Sequence, residues 1–442
     1  MKKLFCFMLA LFLVLCIGCK TMDNASSLIT QLDNSSVKET PSSDNTTQST
    51  DTQVSEPTQS TPSTQQTPST PSTPSSQVEI ITETVKESDI VIVKPEPVVI
   101  KGEKPMCYSY ITDEQKRIYE ILRVAIRDME DKPIDLQIKN AKGDASTVDS
   151  DVNVAFRAVS ADNPEYFWFP SGYALMQSGD DRYVVFKIKN NEHDFNYYPM
   201  DKSKRDAMKK QLDAKVSELT NAAKSMGAFE AEVYFHDYLC NNITYTKSDD
   251  PMIYTTYGAL VNGKAVCEGY SRAMQLLCDE VGIPCGLVYG SSRGEGHMWN
   301  LINLDDGWYH LDVTWDDDET NGVISHRYFN VTKSDIIFQS DHIIADAYKR
   351  DETYKDVDVY NFFSTSHNNK KLNYFEWLGF VIKQDISEAG VLAKYFVDKG
   401  NTYFEIRNNT TTYNRDIIQY IVTELGRAVR YYETNDIITI IL

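Results

Sequence analysis

The sequence predicts an α+β fold behind a long non-globular leader, and three features of its 442 residues carry that prediction. Apolar residues recur at helical spacing in several segments between Thr112 and Val281. Two strand-like segments flank a turn around Asn303 to Gly307, and Leu372 to Leu442 reads as helix, strand, helix and then strands. Hydrophobic residues make up 41% of the chain, enough for a substantial core once the leader is set aside.

The leader comes first. Lys2 and Lys3 precede an apolar run from Leu4 to Ile17, too short for a comfortable membrane span, so residues 1–18 read as a signal peptide. The ending Leu15-Cys16-Ile17-Gly18-Cys19 resembles a bacterial lipobox, with Cys16 where that motif usually carries Leu. The resemblance implies lipidation of Cys19, a membrane attachment through that lipid, and an extracytoplasmic location at a bacterial cell membrane or outer membrane. Asn24 to Gln77 is Ser, Thr, Gln and Pro, with TPST repeated between Thr61 and Thr73. Such a composition buries too little apolar surface to offset its chain entropy and reads as an extended stalk. Val78 to Lys104 alternates β-branched and charged residues; it reads as an edge strand or as more linker, and linker is preferred. Residues 19–104 are thus assigned to anchor and linker.

Folded sequence is expected from 105 on, as a helical and mixed region over 105–230, a core over 231–345 and an α/β appendage over 346–442. Thr112 opens a helix, with Gln115 completing a capping box. Ile118, Ile121, Leu122, Ala125 and Met129 follow at helical spacing, and Pro133 closes it. A second amphipathic segment surrounds Val154 to Val159, and the aromatics of DNPEYFWF (162–169) read as core. Tyr183 to Ile188 reads as a strand, Ser203 to Met226 as a charged helix, and Ala228 to about Asn242 as another helix. In the appendage, Ile417, Ile418, Ile421, Val422 and Leu425 mark a helix and Ile437 to Leu442 a closing strand.

The chemistry concentrates between Ala231 and His342. Cys267 starts a helix whose apolar face is Tyr270, Ala273, Met274, Leu277 and Val281, ended by Gly282 and Pro284. Unpaired N–H groups and the positive dipole end favour a thiolate there; on position alone, a buried structural cysteine is an equal reading. His297 and Asp312 lie fifteen positions apart on the two strands. A turn centred between Leu304 and Asp305 sets them opposite each other, and a turn at Asp306-Gly307 sets Asp312 opposite Leu301, still on one face. Either way a carboxylate can orient the imidazole and leave its other nitrogen for a thiol, the arrangement acyl transfer needs. His310 shares that face, so spacing leaves it open as a rival base.

The segments VCEGYS, GHMWN and WYHLDVTWDD resemble the transglutaminase-like superfamily, especially its bacterial secreted members, in order and spacing. RYFNVTKSDIIFQSDH, ending at His342, resembles the continuation after the aspartate. Asp318 stands where such sequences often have Pro, away from the reactive positions. The resemblance implies a papain-like core with the cysteine helix packed on an antiparallel sheet, a Cys267–His297–Asp312 triad, and a thioester on Cys267. It selects His297 over His310. The backbone N–H of Cys267 is the expected oxyanion donor, with Tyr257 a candidate second.

Cys107, Cys240, Cys267, Cys278 and Cys285 remain beyond the leader, an odd number that leaves at least one free thiol. Cys278 and Cys285 could pair, but buried free thiols are preferred in a large core. No metal or cofactor is expected: with Asp317 opening a calcium loop, the twelfth position is Tyr328 rather than Glu. The formal net charge of −20 argues against a nucleic-acid partner. Two function classes compete, a thiol enzyme acting on amide bonds of proteins or peptides and a silent domain serving in binding or adhesion. Three reactive groups in this order favour the enzyme.

Overall fold

The computed structural model describes residues 78–81, 90–98, 107–138, 145–178, 181–189, 194–198, 201–304, 307–318, 322–340, 342–344 and 372–442. The segment read as a signal peptide, Cys19 and the segment read as a stalk lie outside them. The described residues fall into two units, one within Ser72–Leu378 and one over Gly379–Leu442.

In the first unit, a four-stranded sheet takes the order β1 (Val78–Ile81), β3 (Tyr173–Ser178), β4 (Asp181–Val185), β2 (Ile134–Asp135). Val78 pairs in parallel with Tyr173, so this piece of the segment read as linker is instead an edge strand. Its partner lies 95 residues away, which no local pattern reveals. Helix α1 (Asp113–Arg127) starts at the expected capping box, Gln115 N–H donating to Thr112 Oγ1 and Thr112 N–H to Gln115 Oε1. Its buried Ile118, Ile121, Leu122 and Ala125 pack on α2 (Ala145–Asp162). Tyr166, Phe167 and Trp168 are core, and the Trp168 indole donates to the Ile126 carbonyl at 2.9 Å.

Helices α3 (Lys202–Ala223) and α4 (Ala228–Asn242) then lead to α5 (Cys267–Val281), which ends on left-handed Gly282. Gly can hold that conformation without a Cβ clash. An antiparallel sheet follows in the order β7 (Gly307–Leu311), β6 (Glu295–Leu304), β5 (Cys285–Ser292), β8 (His342–Ile344), and α5 packs on it. This is the mixed α+β architecture expected, with the cysteine helix on an antiparallel sheet. Leu304 pairs with Gly307 and Asn300 with Leu311. That register lies between the two turns considered from sequence and preserves their parity, since it shifts neither residue off the shared face.

In the second unit, β9 (Val381–Ile382), α7 (Ser387–Asp398), β10 (Tyr403–Asn408), α8 (Asn414–Leu425), β11 (Arg430–Thr434) and β12 (Ile437–Ile441) follow in chain order. The sheet order is β9-β10-β12-β11. Alternation in β10 sends Phe404 and Ile406 into a core with Phe396, Ile417, Ile421, Ile438 and Ile440.

Candidate active site

Cys267 is the first residue of α5 and partly exposed, and no side chain caps the helix at Val266. The first-turn N–H groups, that of Cys267 included, are left to serve a ligand or solvent. The helix start is held from three sides. A Cβ on Gly269 would lie 2.6 Å from the Ile253 carbonyl, so only glycine lets that segment approach. The Ser271 hydroxyl lies 3.0 Å from the Met298 carbonyl of β6, and Asn300 Nδ2 donates back to the Ser271 carbonyl at 2.9 Å. Glu268 pairs with Arg272 at 2.8 Å, and Arg272 donates to the Ser160 carbonyl of α2. Glu268 is therefore part of the helix anchorage, while Ser271 and Asn300 stitch the Cys267 helix to the strand that carries His297.

His297 Nε2 lies 2.6 Å from Asp312 Oδ2. With that nitrogen engaged, Nδ1 is the ring atom left for the Cys267 thiol, which lies near enough to act electrostatically on the imidazole. Asp312 is wholly buried and caps α6 (Val313–Asp316), its Oδ1 accepting the N–H groups of Thr314 and Trp315 at 3.1 and 3.2 Å. The structure thus joins His297 to Asp312 and sets Cys267 near enough to act electrostatically on the His297 ring. His310 is elsewhere occupied: buried, it accepts the Trp299 indole N–H on Nδ1 at 2.9 Å.

The electrostatics separate the two histidines. Burial alone would lower His297, but the Asp312 charge and hydrogen bond, with Cys267 adding to them, raise it to about 10. Burial pushes His310 down to about 3, with Lys333 and His342 acting the same way. Burial opposes the charged form of Asp312, yet His297 and His342 hold its carboxyl well below the usual range. His297 is therefore the imidazole that carries a proton at neutral pH, and His310 is the neutral one.

Sequence reasoning missed several groups. His342 Nε2 lies 2.7 Å from the same Asp312 Oδ2. Its ring sits among Trp299, Trp315, Tyr328 and His297. Only its place at the end of the RYFN…DH segment signalled it. Tyr245 and Tyr254 lie near enough to Cys267 that its charge adds to burial in raising their phenols, Tyr245 to about 12. Tyr257, the candidate oxyanion partner, has its hydroxyl committed to Gln211 Oε1 at 2.5 Å. Cys107, Cys240, Cys278 and Cys285 are buried free thiols.

Behind the site lies a second buried group. Asp237 Oδ1 meets His236 Nδ1 and His326 Nε2, each at 2.9 Å, and His236 Nε2 lies 3.2 Å from Asp316 Oδ2. Asp316 also accepts the Tyr328 N–H, and the Tyr328 carbonyl accepts the Asp312 N–H. Both histidine–aspartate groups gather enough donors to suggest a metal. However, 2.6–2.9 Å between nitrogen and oxygen is hydrogen-bond spacing, tighter than the roughly 3.2 Å that two ligands of one tetrahedral zinc keep.

Residues 213–313, a span that takes in Cys267, His297 and Asp312, match the model of the Transglutaminase-like superfamily. Kyphoscoliosis peptidases of Mus musculus and Homo sapiens are each 27% identical to the chain over 94 residues, covering 18% of this chain. The match spans about 14% of the length of those relatives. A solved TGase aligns at 17% identity over 33% of this chain and 44% of its own, with a TM-score of 0.23. A candidate cysteine protease from Cytophaga hutchinsonii aligns at 12% identity over 33% and 54%, with a TM-score of 0.22. The matched segment carries a transglutaminase-like core.

Proposed function

We propose that this transglutaminase-like core is a thiol enzyme acting on amide bonds of proteins or peptides through a thioester on Cys267. The observation that carries the reading is the His297–buried Asp312 hydrogen bond beside Cys267 at the start of its helix, near enough for the thiol to act on the imidazole. The Cys267 thiolate attacks the amide carbonyl carbon, and the carbonyl oxygen takes the negative charge, facing the N–H of Cys267. His297, protonated at neutral pH, gives its proton to the departing amine as the C–N bond breaks. His297 then takes a proton from water or from an acceptor amine, which attacks the thioester and releases the Cys267 sulfur. Water makes the reaction a hydrolysis and an amine makes it a cross-link.

Asp312 orients the imidazole and remains ionised throughout. In the same reading the activity works at the cell surface, held by the lipid expected on Cys19 and the Ser/Thr/Pro stalk. Incubating the full chain with peptide libraries, with and without added amine, tests the reading and separates the two outcomes. Products that persist with Cys267→Ala would refute it.

A further inference from the structure

Asp312 has a second histidine. We infer that His342 is a positioning residue, the hydrogen-bond donor that locks the Asp312 carboxylate in the orientation His297 needs; the inference rests on the thiol-enzyme reading above. Rotation about the Cβ–Cγ bond moves both carboxylate oxygens together, so bonds to Oδ1 alone leave the carboxylate plane free to rock. Here Oδ2 receives two ring nitrogens, His297 Nε2 at 2.6 Å and His342 Nε2 at 2.7 Å, while the N–H groups of Thr314 and Trp315 hold Oδ1. For both bonds to form, His342 carries its proton on Nε2 and donates it.

The fold fixes this donor tightly. His342 is wholly buried, opposite Ser292 in the β5–β8 pairing. A Cβ at Gly290 would lie 2.2 Å from the Ile343 carbonyl and 2.6 Å from the Trp299 ring, so the glycine is what lets β8 come this close. The imidazole meets Trp299 edge-on, with centroids 5.0 Å apart at 86°, and Trp315 and Tyr328 close the box at 5.3 and 5.6 Å. An aromatic box of this kind could serve packing alone, and a pair of substitutions separates packing from donation. Gln keeps an N–H near the position of Nε2 but loses the ring, whereas Phe keeps the ring and loses the donor.

The test measures iodoacetamide labelling of Cys267 in the full chain at neutral pH, read by mass on the Cys267 peptide, for wild type, His342→Gln and His342→Phe. Near-ultraviolet circular dichroism confirms the fold of each. The expected result is wild-type labelling within about threefold for Gln and a loss of about tenfold or more for folded Phe. A folded Phe variant that labels like wild type, or a folded Gln variant that does not, overturns the role. Failure of the wild type itself to label at Cys267 overturns the underlying enzyme reading and the inference with it, a result distinguishable because no variant is needed to see it.

Discussion

Replacing Asp312 by Asn changes one atom and reverses the local hydrogen-bond logic. Asn can still cap α6 with Oδ1 toward Thr314 and Trp315, so the helix turn keeps a cap worth about 1 kcal/mol. Its amide nitrogen then stands where Oδ2 faced His297 and His342 at 2.6 and 2.7 Å. Donor would meet donor, and the way out for His297 is the tautomer with its proton on Nδ1, facing Cys267. That ring cannot take the thiol proton. Holding His297 protonated up to about 10, rather than its ordinary 6.5, corresponds to roughly 5 kcal/mol in favour of the imidazolium, and Asp312 is the largest source of it. In Ser-His-Asp triads the same exchange lowers turnover by about 10⁴-fold. We expect a loss of about 10³- to 10⁴-fold here, with the fold retained, measured as turnover of a peptide amide selected by the library assay. Turnover within about tenfold of wild type in a folded Asp312→Asn chain would refute the orienting role.

Four further outcomes follow from the same geometry. His310→Gln keeps an acceptor for the Trp299 indole, so turnover should stay near wild type, whereas His297→Gln should abolish it. His310 is neutral in the fold, with a value near 3, but takes up a proton below about 6.5 once unfolded. Its contribution to stability is therefore full above 6.5 and lost as pH falls towards 3; His310→Gln should resist acid better by roughly 3 kcal/mol at pH 4 in urea titrations. Gly290→Val should push β8 from β5, destabilising by about 2–3 kcal/mol and lowering turnover through His342, which thermal melts and peptide kinetics would show. Asp316→Leu leaves His236 facing one carboxylate instead of two and frees the Tyr328 N–H, with an expected loss of about 3–5 kcal/mol in denaturant midpoint experiments.

What could be read from the chain was what local period and parity encode. The Thr112 capping box, the Gly282 stop and the helix starting at Cys267 are patterns within one element, and each appears in the structure. The shared face of His297 and Asp312 followed from an even–odd argument that survives a shifted register. What could not be read depends on distant chain closure. His342 reaches Asp312 from thirty positions away, because β8 adds to the far edge of the sheet. His236 and Asp316 are eighty positions apart, and β1 finds β3 across an intervening helical region. The rivalry of His297 and His310 was decided from sequence by resemblance alone; the physical reason is that the Trp299 indole occupies His310 while Asp312 charges His297.

On the proposed reading, the fold turns Cys267 into a nucleophile. The most direct test compares carboxamidomethylation of Cys267 at pH 6 in the folded chain and in the same chain unfolded in urea. Activation by His297 and Asp312 predicts that the folded thiol reacts about tenfold or more faster, despite its partial burial. A folded Cys267 that reacts no faster than the unfolded one contradicts the account.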